Sequence, residues 1–252
     1  MSTWPEGYGR IVLPSVESTL DEAVRRARDT PGAFWVLAHV QTAARGRRGR
    51  PWSMPAGNFA ATLLLRPQEP AGVAALRSFL MSLALHRALV DVTANPDDLA
   101  LKWPNDVLLR GGKLAGILLE STGQGGQMGP LAIGVGVNLR HAPGADEVEQ
   151  GALRPVSLRG ETGHDITPES FLDILATHYA ALETQFVTYG FAPIRTAWLA
   201  HAARLGQPIL ARTGREEISG TFEDIDGDGN LMLRTARNLR AIAAADVFFQ
   251  SP

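Results

Sequence analysis

Residues 99–120, LALKWPNDVLLRGGKLAGILLE, contain three short β-prone pieces, 99–103, 105–109 and 113–120. The second and third are separated by Arg110-Gly111-Gly112, a good hairpin connection, because glycine supplies the positive φ that tight turns between twisted strands require. Working outward, strands and helices are mixed without a strict βαβ alternation. The expected fold class is therefore α+β, a mixed β-sheet with packed helices, and not a doubly wound parallel sheet.

Upstream, residues 10–16 (RIVLPSV) predict a strand weakened by Pro14. Ser18 or Thr19 then predicts a helix cap for a helix reaching about Arg28, with Glu22 as capping-box partner of Thr19. Residues 33–40 (AFWVLAHV) and Asn58 to Leu65 predict buried strands. Between them lies 41–57, a Gly/Pro-punctuated loop too rich in arginine to be buried. Helical spacing over 72–92 sets Leu76, Phe79, Leu80, Leu83 and Leu89 near one face.

Downstream, 131–138 (LAIGVGVN) predicts another buried strand between flexible stretches at 121–130 and 140–153. Thr167 or Pro168 opens a helix reaching about Tyr189, and 191–204 holds a shorter one. Residues 208–249 alternate in short runs with turns at Gly214, Gly220 and Asp226–Asn230, a small all-β appendage. The expected division is 1–204 and 205–252.

The 252 residues are 45% hydrophobic and 20% charged, enough for a sizeable core. The absence of cysteine removes thiolate metal sites and thiol nucleophiles. No signal-peptide pattern opens the chain and no run approaches the roughly 20 apolar residues of a membrane span, so a cytoplasmic protein with no membrane partner is expected. A net charge of −2 argues against general attraction to nucleic acid, so any basic site is local.

One such site is Arg45-Gly46-Arg47-Arg48-Gly49-Arg50, followed by Pro51-Trp52. Guanidiniums this close repel one another unless anions lie between them, and four neighbouring arginines are expected to lack internal partners. The loop suits closure around a phosphate. A solvated basic loop, or a segment binding RNA loosely, remains the alternative reading of these residues.

Lys113 opens an apolar strand after the Gly-Gly turn, and the hairpin would bring Asp106 near it. The commoner use of both residue types is an exposed strand-end lysine and an Asx-turn cap. Gly134-Val135-Gly136 is weak evidence for nucleotide binding by itself. Asp224-Ile225-Asp226-Gly227-Asp228-Gly229 matches half an EF-hand loop. The twelfth position is Thr235, however, and a hairpin turn is expected there. The six histidines show no metal spacing, so no protein metal site is expected.

Taken in order, these segments resemble the biotin protein ligases. The resemblance rests on Ser18-Thr19, Gln41 before RGRRGRPW, KWPND at 102–106, KLAGIL at 113–118, and the G-x-G-x-N strand at 134–138. Ala44 and Leu20 stand where the family often has Gly and Asn. The resemblance implies a biotin/lipoyl ligase-like catalytic domain with a small SH3-like C-terminal domain. It implies a ligase that forms biotinyl-5′-AMP from biotin and ATP, with Mg²⁺ on the phosphates. Biotin would then pass to a lysine of a biotin carboxyl carrier domain.

By the same resemblance Lys113, Arg47 and Asp106 would be catalytic. Ser18, Thr19, Gln41, Arg45, Gly46, Arg47 and Lys113 would bind biotin, and Arg45, Arg47, Trp52 and Asn138 the adenylate. Residues 140–153 would cover the site. Larger family members carry a winged helix, and only 17 residues precede Ser18. A DNA partner is therefore not expected, whereas a homodimer is allowed. A lipoate or octanoate ligase of the same fold is the nearest alternative, and an RNA-binding module is the alternative from another class.

Overall fold

The computed structural model describes residues 4–121, 123, 129–144, 147–148 and 151–249. Most of the predicted flexible stretch 121–130 lies outside these residues. Seven strands make the main sheet: β1 (Tyr8–Leu13), β2 (Ala33–Ala38), β3 (Phe59–Leu65), β4 (Leu99–Lys102), β5 (Asp106–Leu109), β6 (Gly112–Ser121) and β7 (Leu131–Val137). Their order is β1-β2-β3-β7-β6-β5-β4. Only β1 and β2 run parallel, with α1 (Thr19–Arg26) between them in the chain; the other neighbours are antiparallel.

Strand alternation gives the two faces different work. Phe59, Ala61, Leu63 and Leu65 of β3 join Leu131, Ile133, Val135 and Val137 of β7 in the main core. That face is covered by α3 (Arg77–Thr93) and α5 (Pro168–Tyr189), which pack on each other. On the opposite face Phe34, Val36, Leu64 and Ala132 pack against Leu20 and Ala23 of α1. Arg77, buried at the start of α3, is tied to Glu183 of α5 at 2.6 Å and also meets Glu69.

Several local expectations need correction. The strand predicted from residue 10 to 16 ends at Leu13, ahead of Pro14, whose ring removes the amide a ladder would use. Ser18 is the helix cap, accepting from the Asp21 amide at 3.4 Å, so the capping-box position falls on Asp21. Glu22 instead binds Arg25 and Arg26. The helix predicted over 72–92 is two segments, α2 (Ala71–Ala75) and α3, meeting at Leu76. The β5–β6 turn uses two residues, Arg110 and Gly111, both at positive φ, and Gly112 already belongs to β6.

Helix α4 (Leu158–Thr162) precedes α5, and α6 (Phe191–Leu199) follows it. The appendage is a five-stranded antiparallel sheet of β8 (Pro208–Arg212), β9 (Glu217–Ile225), β10 (Leu231–Arg234), β11 (Leu239–Ile242) and β12 (Asp246–Phe249). Gly220 makes no turn. It lies inside β9 opposite Ile209, where a Cβ would come within 2.6 Å of the Arg234 carbonyl oxygen, so glycine there serves close strand approach. In the β9–β10 hairpin the Asp226 carboxylate accepts from the Asp228 and Asn230 amides, both at 2.9 Å. Ile209, Ala211, Phe222, Leu231 and Leu233 continue the main apolar core into this second sheet.

His86 of α3 is 3% exposed and stacks on His201 with ring centroids 3.9 Å apart. Burial, with His201 and Arg87 nearby, pushes its pKa down from 6.5 to about 4. The unfolded chain therefore binds a proton between these values that the folded chain refuses, and stability must fall with falling pH. Unfolding free energy from urea titrations is expected to drop by about 1.4 kcal/mol per pH unit below pH 6.5 on account of this residue. His86→Leu should flatten that slope; an unchanged slope would exonerate the pair.

Candidate active site

A cavity of about 570 Å³ opens on the α1 side of the main sheet. Its floor is nearly free of side chains. Gly116 and Gly136 face each other across β6 and β7, and Gly134 lies two residues along. A Cβ on Gly136 would come within 2.7 Å of the Trp52 indole, and one on Gly134 within 2.9 Å of Leu20. The indole and the first turn of α1 thus rest directly on sheet backbone.

At one pole stand Ser18, Thr19 and Gln41. The Thr19 amide donates to Gln41 Oε1 at 2.7 Å, and the Thr19 hydroxyl donates to the same oxygen at 3.0 Å. Val16 and Gln41 pair as a short parallel bridge, which carries Gln41 to the helix start. Asn138, immediately after β7, is 2% exposed and spends its amide NH₂ on the Val156 carbonyl at 3.1 Å. Among the described residues its Oδ1 is buried with no partner, an acceptor available to a ligand N–H.

The opposite pole is cationic. The hairpin of β4 and β5 sets Asp106 between two ammoniums, Lys113 Nζ at 2.7 Å and Lys102 Nζ at 3.5 Å. Burial opposes ionisation of Asp106, but Lys113 and Lys102 outweigh it and hold the carboxyl below its usual range. Burial pushes the Lys102 ammonium down, with Asp106 partly offsetting it. Lys113 also lies over the Trp52 ring, 5.7 Å from its centroid.

The arginine loop does not lack internal partners. Arg45 donates to both carboxylate oxygens of Asp21, at 2.6 and 2.7 Å, and reaches Glu120 at 3.0 Å. Arg47, Arg48 and Arg50 converge on Asp246 of β12 at 3.5, 2.9 and 3.1 Å. Burial pushes the Arg47 guanidinium down despite Asp246. Arg48 sits at φ 58 inside a short 3₁₀ turn, Arg47–Gly49.

All ten sequence-predicted site residues border this one cavity: Ser18, Thr19, Gln41, Arg45, Gly46, Arg47, Trp52, Asp106, Lys113 and Asn138. Of the expected covering segment 140–153, Pro143, Glu147, Val148 and Gly151–Leu153 line it, while 145, 146, 149 and 150 lie outside the described residues. Sequence reasoning missed Lys102 and Asp246. Lys102 stood inside the quoted KWPND segment; Asp246 carried no local signal.

The sheet is bare of side chains only around Gly116, Gly134 and Gly136, and lysines and the arginine loop flank that patch, a setting that suits an enzyme joining two anionic substrates. Residues 12–138 match the family described as Biotin/lipoate A/B protein ligase, and 205–250 match the Biotin protein ligase C terminal domain. The chain belongs to the biotin protein ligase family. It is 56% identical over 238 residues to the biotin–[acetyl-CoA-carboxylase] ligase of Paracoccus denitrificans, covering 94% of this chain and 99% of that one. It is 30% identical to the bifunctional ligase/repressor BirA of Bacillus subtilis, covering 94% and 71%. The fold matches the biotin protein ligase from Aquifex aeolicus in complex with biotin and ATP at a TM-score of 0.81 and 24% identity, over 95% and 97% of the two chains.

Removing the Asp106 charge strands the buried Lys102 ammonium. Asp106→Asn is expected to cost about 3–5 kcal/mol in urea unfolding, the usual penalty for breaking a buried ion pair. Adding Lys102→Met should recover part of that loss. A double variant no more stable than Asp106→Asn would show that the two charges do not compensate each other.

Proposed function

We infer that this chain is an ATP-dependent biotin protein ligase. It forms biotinyl-5′-AMP from biotin and ATP and transfers biotin to a lysine of the biotin carboxyl carrier domain of a biotin-dependent carboxylase. The observation that carries this reading is the 56% identity to the Paracoccus denitrificans enzyme across nearly the whole of both chains. The lipoate reading is disfavoured because 205–250 match the C-terminal domain of biotin ligases specifically. The carboxylates of Asp21, Glu120 and Asp246, which pair with the arginine loop, count against an RNA reading.

In the first step a biotin carboxylate oxygen attacks the α-phosphorus of ATP, and the bond to the bridging oxygen breaks to release pyrophosphate. Two anions must approach, so cations that strengthen in the transition state dominate the rate. We assign that work to Lys113 and Arg47, with Arg45 and Gly46 shaping the loop around the substrate. Ser18, Thr19 and Gln41 supply hydrogen bonds for the biotin head. Trp52 and the unpartnered Asn138 Oδ1 suit the adenine, whose exocyclic N–H would fill that acceptor. In the second step a carrier amine attacks the mixed anhydride carbonyl, AMP leaves, and Asp106 orients Lys113 or takes up the amine's proton.

Among the described residues no three carboxylate or imidazole groups cluster, and Asp106 is engaged by two ammoniums, so Mg²⁺ would enter on the ATP phosphates and neutralise their charge. The reading includes a cytoplasmic setting, residues 1–204 as the catalytic unit and 205–252 as the unit that abuts its arginine loop. A homodimer, to be weighed by sedimentation, belongs to it as well.

The deciding experiment is mass spectrometry of a biotin carboxyl carrier domain incubated with the chain, biotin, ATP and Mg²⁺. The expected result is one biotinyl adduct on one lysine, and a lipoyl or octanoyl adduct from the corresponding acids would redirect the assignment. Lys113→Ala should remain folded, because its side chain is partly exposed, and should lower biotin-dependent pyrophosphate release roughly ten- to a hundredfold, the loss of a charge-assisted contact to the reacting group. Wild-type release by the folded variant would remove Lys113 from the chemistry.

A further inference from the structure

Thr62 is fully buried in the middle of β3, paired in register with Val36 and Gly134. Its face of the sheet is otherwise apolar there, with Phe34, Val36, Leu64 and Ala132. Valine would fill the same space without the cost of burying a hydroxyl. Among the described residues the hydroxyl has one hydrogen-bond partner, Thr19 Oγ1 at 2.9 Å.

The direction of every bond in this chain is forced by one proton that cannot move. The Thr19 backbone N–H donates to the Gln41 side chain at 2.7 Å, which makes that atom the amide oxygen. Thr19 Oγ1 stands 3.0 Å from the same oxygen and can only donate to it. Its single hydrogen is then spent, so Thr62 must be the donor to Thr19. Gln41, which lines the cavity, keeps its NH₂ without a hydrogen-bond partner among the described residues, and Thr19 Oγ1 keeps one lone pair. The pole thereby offers donors and an acceptor side by side, the complement of a ring urea with its carbonyl and N–H groups.

We propose that Thr62, which does not line the cavity, is a positioning residue for biotin: its hydroxyl locks the polarity of the Thr19–Gln41 pair that receives the urea ring. Donation by Thr62 strengthens the onward bond from Thr19, as hydrogen bonds in series polarise one another. Without it the Thr19 side chain is released to a second rotamer, and Gln41 is held by the backbone amide alone. The inference rests on the reading of the cavity as a biotin site.

The test uses the full chain with Thr62→Val, Thr62→Ser, Gln41→Met and the double variant Thr62→Val/Gln41→Met, read by biotin transfer to a carrier domain. Thr62→Val is expected to raise the KM for biotin roughly five- to tenfold, about the worth of one hydrogen bond, while the KM for ATP and kcat stay within about twofold. Thr62→Ser restores the hydroxyl and should restore the KM. The double variant should be no worse than Gln41→Met alone, because Thr62 acts through that amide. An unchanged biotin KM in Thr62→Val overturns the proposal. So do equal losses for biotin and ATP, failure of Thr62→Ser to rescue, or additive effects in the double variant. Absence of biotin transfer by the unmodified chain would instead overturn the reading of the cavity itself.

Discussion

Gly116 and Gly136 lie opposite each other on β6 and β7, and with Gly134 they remove the side chains from the part of the sheet that faces α1. The other features of the cavity follow from that bareness. An alanine at 136 would displace the Trp52 indole, which lies within 2.7 Å of where its Cβ would stand. The same strand residues with odd numbers, Leu131, Ile133, Val135 and Val137, are all in the core. A single seven-residue strand thus combines a dense apolar face with an open polar-ended one, and the period of two keeps the functions separate. The core contacts of those four residues anchor the strand, which offsets the packing its glycines give up on the other face.

The cavity's charge is balanced locally and incompletely. Lys102 and Lys113 share Asp106, while Arg47, Arg48 and Arg50 share Asp246. Around these two carboxylates five cationic side chains meet, an excess that Arg45 with Asp21 and Glu120, and Glu147 on the cavity wall, reduce without cancelling, in a chain whose overall charge is −2. The local excess favours a multiply charged anion, whereas the global balance gives no long-range attraction to a polyanion. Burial of Asp106 and Lys102 sharpens this contrast, since a low-dielectric setting strengthens each remaining interaction.

The parts of this site legible in sequence were those encoded over short distances. The pairing of Asp106 with Lys113 follows from a hairpin of eight residues, and the polar loop 41–57 follows from composition. The partners of the arginines were hidden for the opposite reason. Asp21 and Glu120 lie on different elements from Arg45, and Asp246 stands about two hundred positions from Arg47. No local pattern distinguishes such carboxylates from ordinary surface acids. Gly220 illustrates the same limit. A lone glycine reads as a turn, and only the approach of the Arg234 backbone shows why a strand needs it. The parallel pairing of β1 with β2 was equally out of reach, since strand direction depends on how α1 packs back onto the sheet.

Asp246 also explains why a small second sheet is attached to the cavity's rim. That sheet is docked firmly: Trp103 Nε1 donates to the Gly229 carbonyl at 3.1 Å, Gly229 lies against Phe79 and Leu76, and Arg195 binds Asp224. A carboxylate carried on so rigid a support stays in place without the entropy cost of ordering its own backbone. The arginines it gathers are already close to the positions from which they reach the cavity. Ordering a loop before its ligand arrives lowers the entropy lost on binding, so more of the interaction energy is retained as affinity. The firmness of the second sheet and the readiness of the arginine loop are therefore one property, transmitted through a single carboxylate at the start of β12.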